Sequence, residues 1–218
     1  GIGKGYRLRE FDGFCISPKE ADARFDECLE VMTKAWKLDS PWSHQGAYWK
    51  FDEVVVEPPS AQRPHPPLWM GAGSPSSVKQ VATLGFNMLL GQFASFEEIT
   101  NSVALFKSEV ESSGRTFDPM SVAVARSVNV VDSVPEYEHA LETRMAARRR
   151  TQNLANRPDF QDTREAAEAG TLYGPASEIS RKLQCLRDSG VEYVLLNSPG
   201  GISTLRRFAK EVMPGFTS

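Results

Sequence analysis

The chain has 218 residues, 40% hydrophobic and 24% charged, with a formal net charge of −3. That composition describes a globular polypeptide with room for one large domain or two small ones. Interspersed acid and base give no basic surface for nucleic acid or anionic membrane, and no apolar run approaches the roughly 18 residues of a spanning helix.

Ser17-Pro18-Lys19-Glu20 reads as a capping box with proline at the first helical position. Behind it Ala21, Phe25, Cys28, Leu29, Met32, Ala35 and Trp36 recur at three- and four-residue spacing, predicting a helix to about Leu38. Residues 39 to 66 are irregular, with one short extended segment at Phe51–Val56. From residue 67 a rhythm begins. Leu68-Trp69-Met70 is a short apolar run, and Ser74-Pro75 opens a helix that Gly85 ends. Asn87–Leu90 is a second run. Ser95 and Glu98 cap a helix carrying Ile99, Val103, Phe106 and Val110. Ser121–Val131 is a longer strand, and a helix from Ser133 runs toward Arg150. After a polar stretch, Thr151–Thr171, Gly174-Pro175 opens a helix that stops at Gly190; Tyr193–Leu196 is the last strand and Ser203–Val212 the last helix.

Short apolar strands alternating with helices are the signature of an α/β fold with a parallel sheet buried on both faces. Four such strands are expected. A complete (β/α)8 TIM barrel takes about 250 residues, so the chain is expected to form roughly half of one, as a single partial barrel domain. The chain opens on Gly1-Ile2-Gly3-Lys4-Gly5, a glycine-rich loop of the kind that follows a strand, which leads us to expect sequence upstream; a tag remnant and flexible terminus is the alternative.

Cys15, Cys28 and Cys185 form neither a disulfide framework nor a metal signature. Cys28 and Cys185 are expected in the core, and the setting is expected to be reducing and cytoplasmic, with no secretory leader visible. His44, His65 and His139 lack metal-ligand spacing, so no metal is expected. His44 could face a site, although a hydrogen-bonded loop histidine is the commoner case. The basic cluster Arg144, Arg148, Arg149, Arg150 is read as compensating a helix dipole.

Ligands of such folds bind at the C-terminal ends of the strands. Gly71-Ala72-Gly73-Ser74-Pro75-Ser76-Ser77 joins a strand to a helix N-terminus, with Lys79 one turn on. It suits a phosphate through free amides, hydroxyls and the helix dipole. From the motif alone, a plain turn with Ser74 as N-cap and Pro75 at the first helical position is the favoured reading. Arg126, in mid-strand, either pairs with a core carboxylate or faces an anionic ligand. With neither metal nor nucleophile constellation visible, an enzyme here would lean on an organic cofactor.

Gly3-Lys4-Gly5-Tyr6-Arg7, Glu10-Phe11 and Arg24-Phe25-Asp26-Glu27 resemble the middle of bacterial-luciferase-like flavin-dependent oxidoreductases and monooxygenases. So do His44-Gln45-Gly46-Ala47-Tyr48-Trp49-Lys50-Phe51 and Pro66-Pro67-Leu68-Trp69-Met70-Gly71-Ala72-Gly73-Ser74. Tyr173-Gly174-Pro175, Gly190-Val191 and Val212-Met213-Pro214 are similar to the end of that family. The resemblance covers nearly the whole chain, and the order of the pieces is its specific part. It implies a barrel that binds FMN or an 8-hydroxy-5-deazaflavin coenzyme, and a monooxygenase acting on a small organic substrate through reduced flavin and oxygen. Residues 1–66 would be the loop, helix and insertion after the fourth strand, and 67–218 would carry strands five to eight. The flavin phosphate would rest on Gly73, Ser74, Ser76 and Ser77, with Gly91 and Gln92 near the cofactor and Tyr6 and Arg7 bordering the same mouth. Residues 151–171 would be a mobile lid; a weakly packed helical insertion is the alternative, since Arg164–Ala169 has good helix propensity. The implied partners are the flavin, the substrate, and either a second copy in a homodimer or a missing N-terminal half. Catalytic residues are not carried over, since they would lie in that half. The competing expectation is a non-catalytic flavin- or phosphate-binding fragment or degenerate homologue.

Overall fold

The computed structural model describes residues 1–155 and 163–217. The chain forms two compact units, one of them built on Ile2–Leu68 and the other beginning at Trp69.

The first unit holds α1 (Leu8–Gly13), a 3-10 turn at Pro18–Glu20 and α2 (Ala21–Lys37). Ser17 caps the 3-10 turn by accepting the Lys19 N–H at 3.3 Å, so the proline-led start is a tight turn rather than the first turn of α2. The stretch expected to be irregular contains an antiparallel hairpin, β1 (Trp42–Gln45) and β2 (Lys50–Val54). Trp42 and Phe51 meet edge to face across it, ring centroids 5.0 Å apart, as cross-strand aromatic pairs do.

The second unit is a parallel sheet under helices. In chain order it runs β3 (Trp69–Ala72), α3 (Pro75–Leu84), β4 (Asn87–Leu90), α4 (Phe96–Ser112), β5 (Val122–Val130), α5 (Val134–Ala155), α6 (Arg164–Ala169), β6 (Thr171–Gly174), α7 (Ala176–Asp188), β7 (Tyr193–Asn197) and α8 (Gly201–Glu211). Three of the four expected strands lead in order to the fourth, β3–β4–β5–β7. The expected number was wrong: β6 is a fifth. Val124 pairs with Leu90 on one edge of β5 and Val194 on the other, while Ser127 pairs with Thr171 and Asn197. β6 therefore lies on the β4 edge, above the point where β4 ends. The nine-residue β5 outruns its neighbour, and β6 takes up the backbone groups left over.

One face of this sheet is sealed. Met88, Leu90, Val124, Arg126, Val128 and Val130 are buried there, and α3 packs on β3 and β4 and α7 on β6. The other face leaves Trp69, Leu89, Ala125, Asn129, Tyr193 and Leu195 partly or largely exposed. Trp69 and Tyr193 stand on strands separated by β4 and β5, yet their ring centroids lie 5.6 Å apart. A flat sheet would hold them about 14 Å apart at the usual strand spacing. The open face is therefore concave, as in a section of a barrel wall.

Three side-chain expectations are corrected. The arginine cluster does not end a helix, because α5 continues to Ala155, and Arg144 and Arg148 are buried. Cys185 is exposed rather than in the core, and Cys28 is half-buried. The expected excursion at 151–171 is helical at both ends, in α5 and α6; the rest of it, 156–162, lies outside the described residues. Among the described residues no helix is long and apolar enough to cross a membrane.

Candidate functional site

Ala72 pairs with Leu90, so β3 and β4 end at one level and their C-terminal loops leave the sheet side by side. The first loop is Gly73–Ser77. Ser74 is the N-cap of α3, Pro75 occupies N1, and Ser77 closes a capping box. The Ser77 Oγ accepts the Gly73 N–H at 3.1 Å and the Ser74 N–H at 3.0 Å, and donates to the Ser74 carbonyl at 2.8 Å. Ser74 and Ser76 hydroxyls are 3.0 Å apart. The loop is thus a well-made cap, and three hydroxyls cluster at the positive end of a ten-residue helix. A Cβ placed on Gly71 or Gly73 would meet nothing within 4 Å, so the strand end in front of them is open. Hydroxyls, a helix N-terminus and open space above glycine fit a phosphate ester. Lys79 does not join them; it pairs with Glu109 of α4 at 3.2 Å.

The second loop, Gly91–Ser95, is gripped from beneath. Arg126, fully buried on the helix side of β5, donates to the carbonyls of Gly91 (3.2 Å), Ala94 (2.9 Å) and Ala125 (2.9 Å). Neither alternative weighed from the sequence applies, since Arg126 makes no ion pair among the described residues and points under the loop. Arg144 of α5 donates to the Gln92 Oε1 at 3.1 Å and the Gln92 carbonyl at 2.5 Å. Its guanidinium lies 4.6 Å from the centre of the Phe93 ring. Burial pushes both arginines down to about 10, with neighbouring positive charge adding to the effect. Both remain cationic at neutral pH. This grip is what sequence reasoning missed. Its signal was present, because Leu141, Arg144 and Arg148 share one face at helical spacing and all three are buried.

The end of β5 is fastened to α8. Arg207 donates to the Val130 carbonyl at 3.1 Å and to Asp132 at 2.7 Å. Thr204 donates to the Asn129 Oδ1 at 3.0 Å, beneath Gly200, where a Cβ would collide with Thr204. Ser127 and Tyr173 share a buried hydroxyl contact at 2.9 Å.

Tyr6 and Arg7 belong to the other unit, where the Arg7 guanidinium lies 5.8 Å from the Tyr6 ring centre and bonds Glu10 at 2.9 Å. That unit has a cleft of about 460 Å³ lined by Asp26, Glu27, Glu30, Lys34 and His44. Its partly buried carboxylate, Glu27, accepts the N–H groups of Ala47 (3.0 Å), Tyr48 (3.1 Å) and Trp49 (2.9 Å), and contacts His44 Nε2 at 3.1 Å. His44 is therefore the hydrogen-bonded loop histidine, and Glu27 is occupied in holding a turn. Among the described residues no group of three or more His, Cys, Asp and Glu is placed to hold a metal.

A family model described as luciferase-like monooxygenase matches residues 1–193. The uncharacterized protein y4vJ of Sinorhizobium fredii is 25% identical over 72% of this chain and 45% of its own length. The oxygenase component of the flavin-dependent trigonelline monooxygenase of Acinetobacter baylyi is 23% identical over 100% of the chain and 67% of its own length. The chain thus spans about half to two thirds of these relatives. Two solved structures share its fold. An F420-dependent secondary alcohol dehydrogenase, in complex with an F420-acetone adduct, has a TM-score of 0.79 at 16% identity, covering 100% of this chain and 69% of that one. The oxygenating constituent of 3,6-diketocamphane monooxygenase from Pseudomonas putida, in complex with FMN, has a TM-score of 0.68 at 18% identity, covering 90% and 64%.

Proposed function

Because the chain belongs to the luciferase-like monooxygenase family, we propose that it carries the flavin-phosphate end of a flavin-dependent monooxygenase active site. The substrate class is a small organic molecule. FMN is the cofactor this reading favours, and the 8-hydroxy-5-deazaflavin coenzyme is its alternative. The observation that carries it is the pair of adjacent loops at the level of Ala72 and Leu90, one an open glycine–serine cap and the other held rigid. Reduced flavin, when bound, supplies the two-electron chemistry by which oxygen is activated.

The residues of this chain bind and orient. Gly73 admits the ligand close to the backbone, and the hydroxyls of Ser74, Ser76 and Ser77 with the α3 N-terminus receive the phosphate. Gly91 and Gln92 border the ring-ward side. The concave face of the sheet is the inner wall of a barrel, closed in the whole protein by further strands or a second copy. The setting is cytoplasmic. A second reading, a non-catalytic fragment or degenerate homologue, draws on the Gly73 and Ser74 amides, which Ser77 already satisfies and which are therefore withdrawn from a cofactor phosphate.

The test is a binding titration of the whole protein with FMN, riboflavin and the deazaflavin coenzyme, repeated on Ser76→Asp. Aspartate in the first turn favours the helix dipole, so folding is spared, while its charge opposes a phosphate. The expected result is FMN bound more tightly than riboflavin in the parent, and at least about tenfold weaker FMN binding in the variant, about 1.4 kcal/mol, at an unchanged melting temperature. Equal binding of FMN by both proteins overturns the phosphate cradle. Failure of the parent to bind any of the three selects the second reading.

A further inference from the structure

We propose that Arg144 is a positioning residue that locks Gln92 as a one-way hydrogen-bond donor toward the ligand of the strand-end site. This rests on the functional reading above and adds a residue and a role to it.

A glutamine carboxamide presents an acceptor at one end and two donors at the other, and it interconverts them by a half-turn of its last torsion. Here that freedom is removed. A guanidinium has only donors, and Arg144 faces Gln92 with two of them, 3.1 Å from Oε1 and 2.5 Å from the main-chain carbonyl. Turning the carboxamide would set N–H against N–H. The oxygen is therefore fixed inward on Arg144, and the Nε2 amino group is the end left for a ligand. An acceptor atom suits it; a donor does not.

The support beneath is rigid for physical reasons. Arg144 is only 4% exposed, it is pinned against the Phe93 ring, and it makes no ion pair among the described residues. Arg126 holds the carbonyls on either side of Gln92, those of Gly91 and Ala94. Three of the four carbonyls from Gly91 to Ala94 thus end on buried guanidinium groups. Closing a short turn needs only a hydroxyl or an amide. Two buried cations without carboxylate partners are a costly way to do it, and what they add is a loop of fixed polarity with positive charge behind it. Because Arg144 sits on α5, the loop is also tied to that helix.

Two substitutions at Gln92 and one at Arg144 test this in the whole protein. Gln92→Glu gives Arg144 a carboxylate partner but removes the donor. The expected result is a melting temperature at or above the parent's, with FMN affinity about tenfold weaker. Arg144→Lys keeps the charge but loses the fork. It is expected to speed amide hydrogen exchange across residues 91–95 and to weaken FMN binding as much as Gln92→Ala does, with no further loss in the Arg144→Lys/Gln92→Ala double variant. Parental FMN affinity in Gln92→Glu, or additive losses in the double variant, overturns the positioning role. Unchanged exchange across 91–95 in Arg144→Lys overturns it as well, and that measurement needs no cofactor. A parent protein that binds no flavin at all overturns the functional reading and the ligand-directed part of this one, leaving the exchange result to judge the grip alone.

Discussion

A single carboxylate closes the β1–β2 turn. Burial raises the pKa of Glu27, but hydrogen bonds from the Trp49 N–H, His44 and the N–H groups of Tyr48 and Ala47 outweigh it and hold the carboxyl below the ordinary range. A carboxyl whose pKa is depressed on folding stabilises the fold above its unfolded pKa, and that contribution disappears as pH falls through the folded value. The first unit is therefore expected to lose stability from about pH 4.3, the unfolded glutamate value, downward. Glu27→Gln should lower the melting temperature at pH 7 and flatten this acid limb; a limb as steep as the parent's would show that Glu27 is not its source. Gly46 belongs to the same device, since a Cβ there would collide with the Glu27 carboxylate. Gly46→Ala should reproduce the loss at pH 7 without removing the carboxyl. The residues of this turn were visible in the sequence as Glu27 and the His44–Phe51 motif, but their partnership was not. They are separated by 17 to 22 positions, and neither periodicity nor local spacing links them.

At the scale of elements, what could be read in advance was what local physics dictates. The helix starts at Ser74 and Ser95 follow from side chains reaching their own backbone three residues on; the Ser95–Glu98 capping box forms as the sequence spells it, Ser74 forms the N-cap with a box closed by Ser77, and the box read at Ser17–Glu20 gives way to a 3-10 turn. Ser95→Ala should cost about 1 kcal/mol in chemical denaturation, since Ser95 receives the Glu98 N–H at 3.1 Å and Glu98 returns the bond at 2.6 Å. β6 was not legible. It is as short as β3 and β4 but has only Leu172 and Tyr173 as large apolar residues between Thr171 and Gly174, and it follows a polar stretch. Its existence is dictated from a distance, by the length of β5. Once in place it is core: Leu172 is fully buried and pairs with Val128. Leu172→Ala is expected to cost about 2–5 kcal/mol, measurable as a shift of the urea midpoint. A cost below about 0.5 kcal/mol would mark β6 as a peripheral addition. The grip on Gln92 was hidden for a related reason. Arg144 reads as a surface charge until the tertiary fold turns its face of α5 inward.

For the molecule as a whole, the decisive feature is a sheet finished on one side only. The helix-facing side is sealed, while on the concave side Tyr193 and Leu195 of β7 are 40% and 39% exposed. Among the described residues β7 pairs with β5 alone, so its other edge offers unpaired N–H and C=O groups beside exposed apolar side chains. That combination templates association with another strand. In the barrel proposed above, further strands satisfy it. Studied alone, the 218-residue chain should therefore associate with itself as its concentration rises into the micromolar range, visible in sedimentation velocity. Leu195→Lys places a charge on the open face of the β7 strand, at a position where the parent side chain is already partly solvated. It should suppress association and leave the melting temperature of dilute protein within about 2 °C of the parent, because little burial is lost. The same substitution in a whole barrel would push a lysine into a packed interior and cost several kcal/mol. Opposite signs of effect in the two contexts are the signature expected of a barrel wall. A lysine tolerated equally in both would mean that the concave face is solvent-exposed in the complete protein, and the barrel reading would fall.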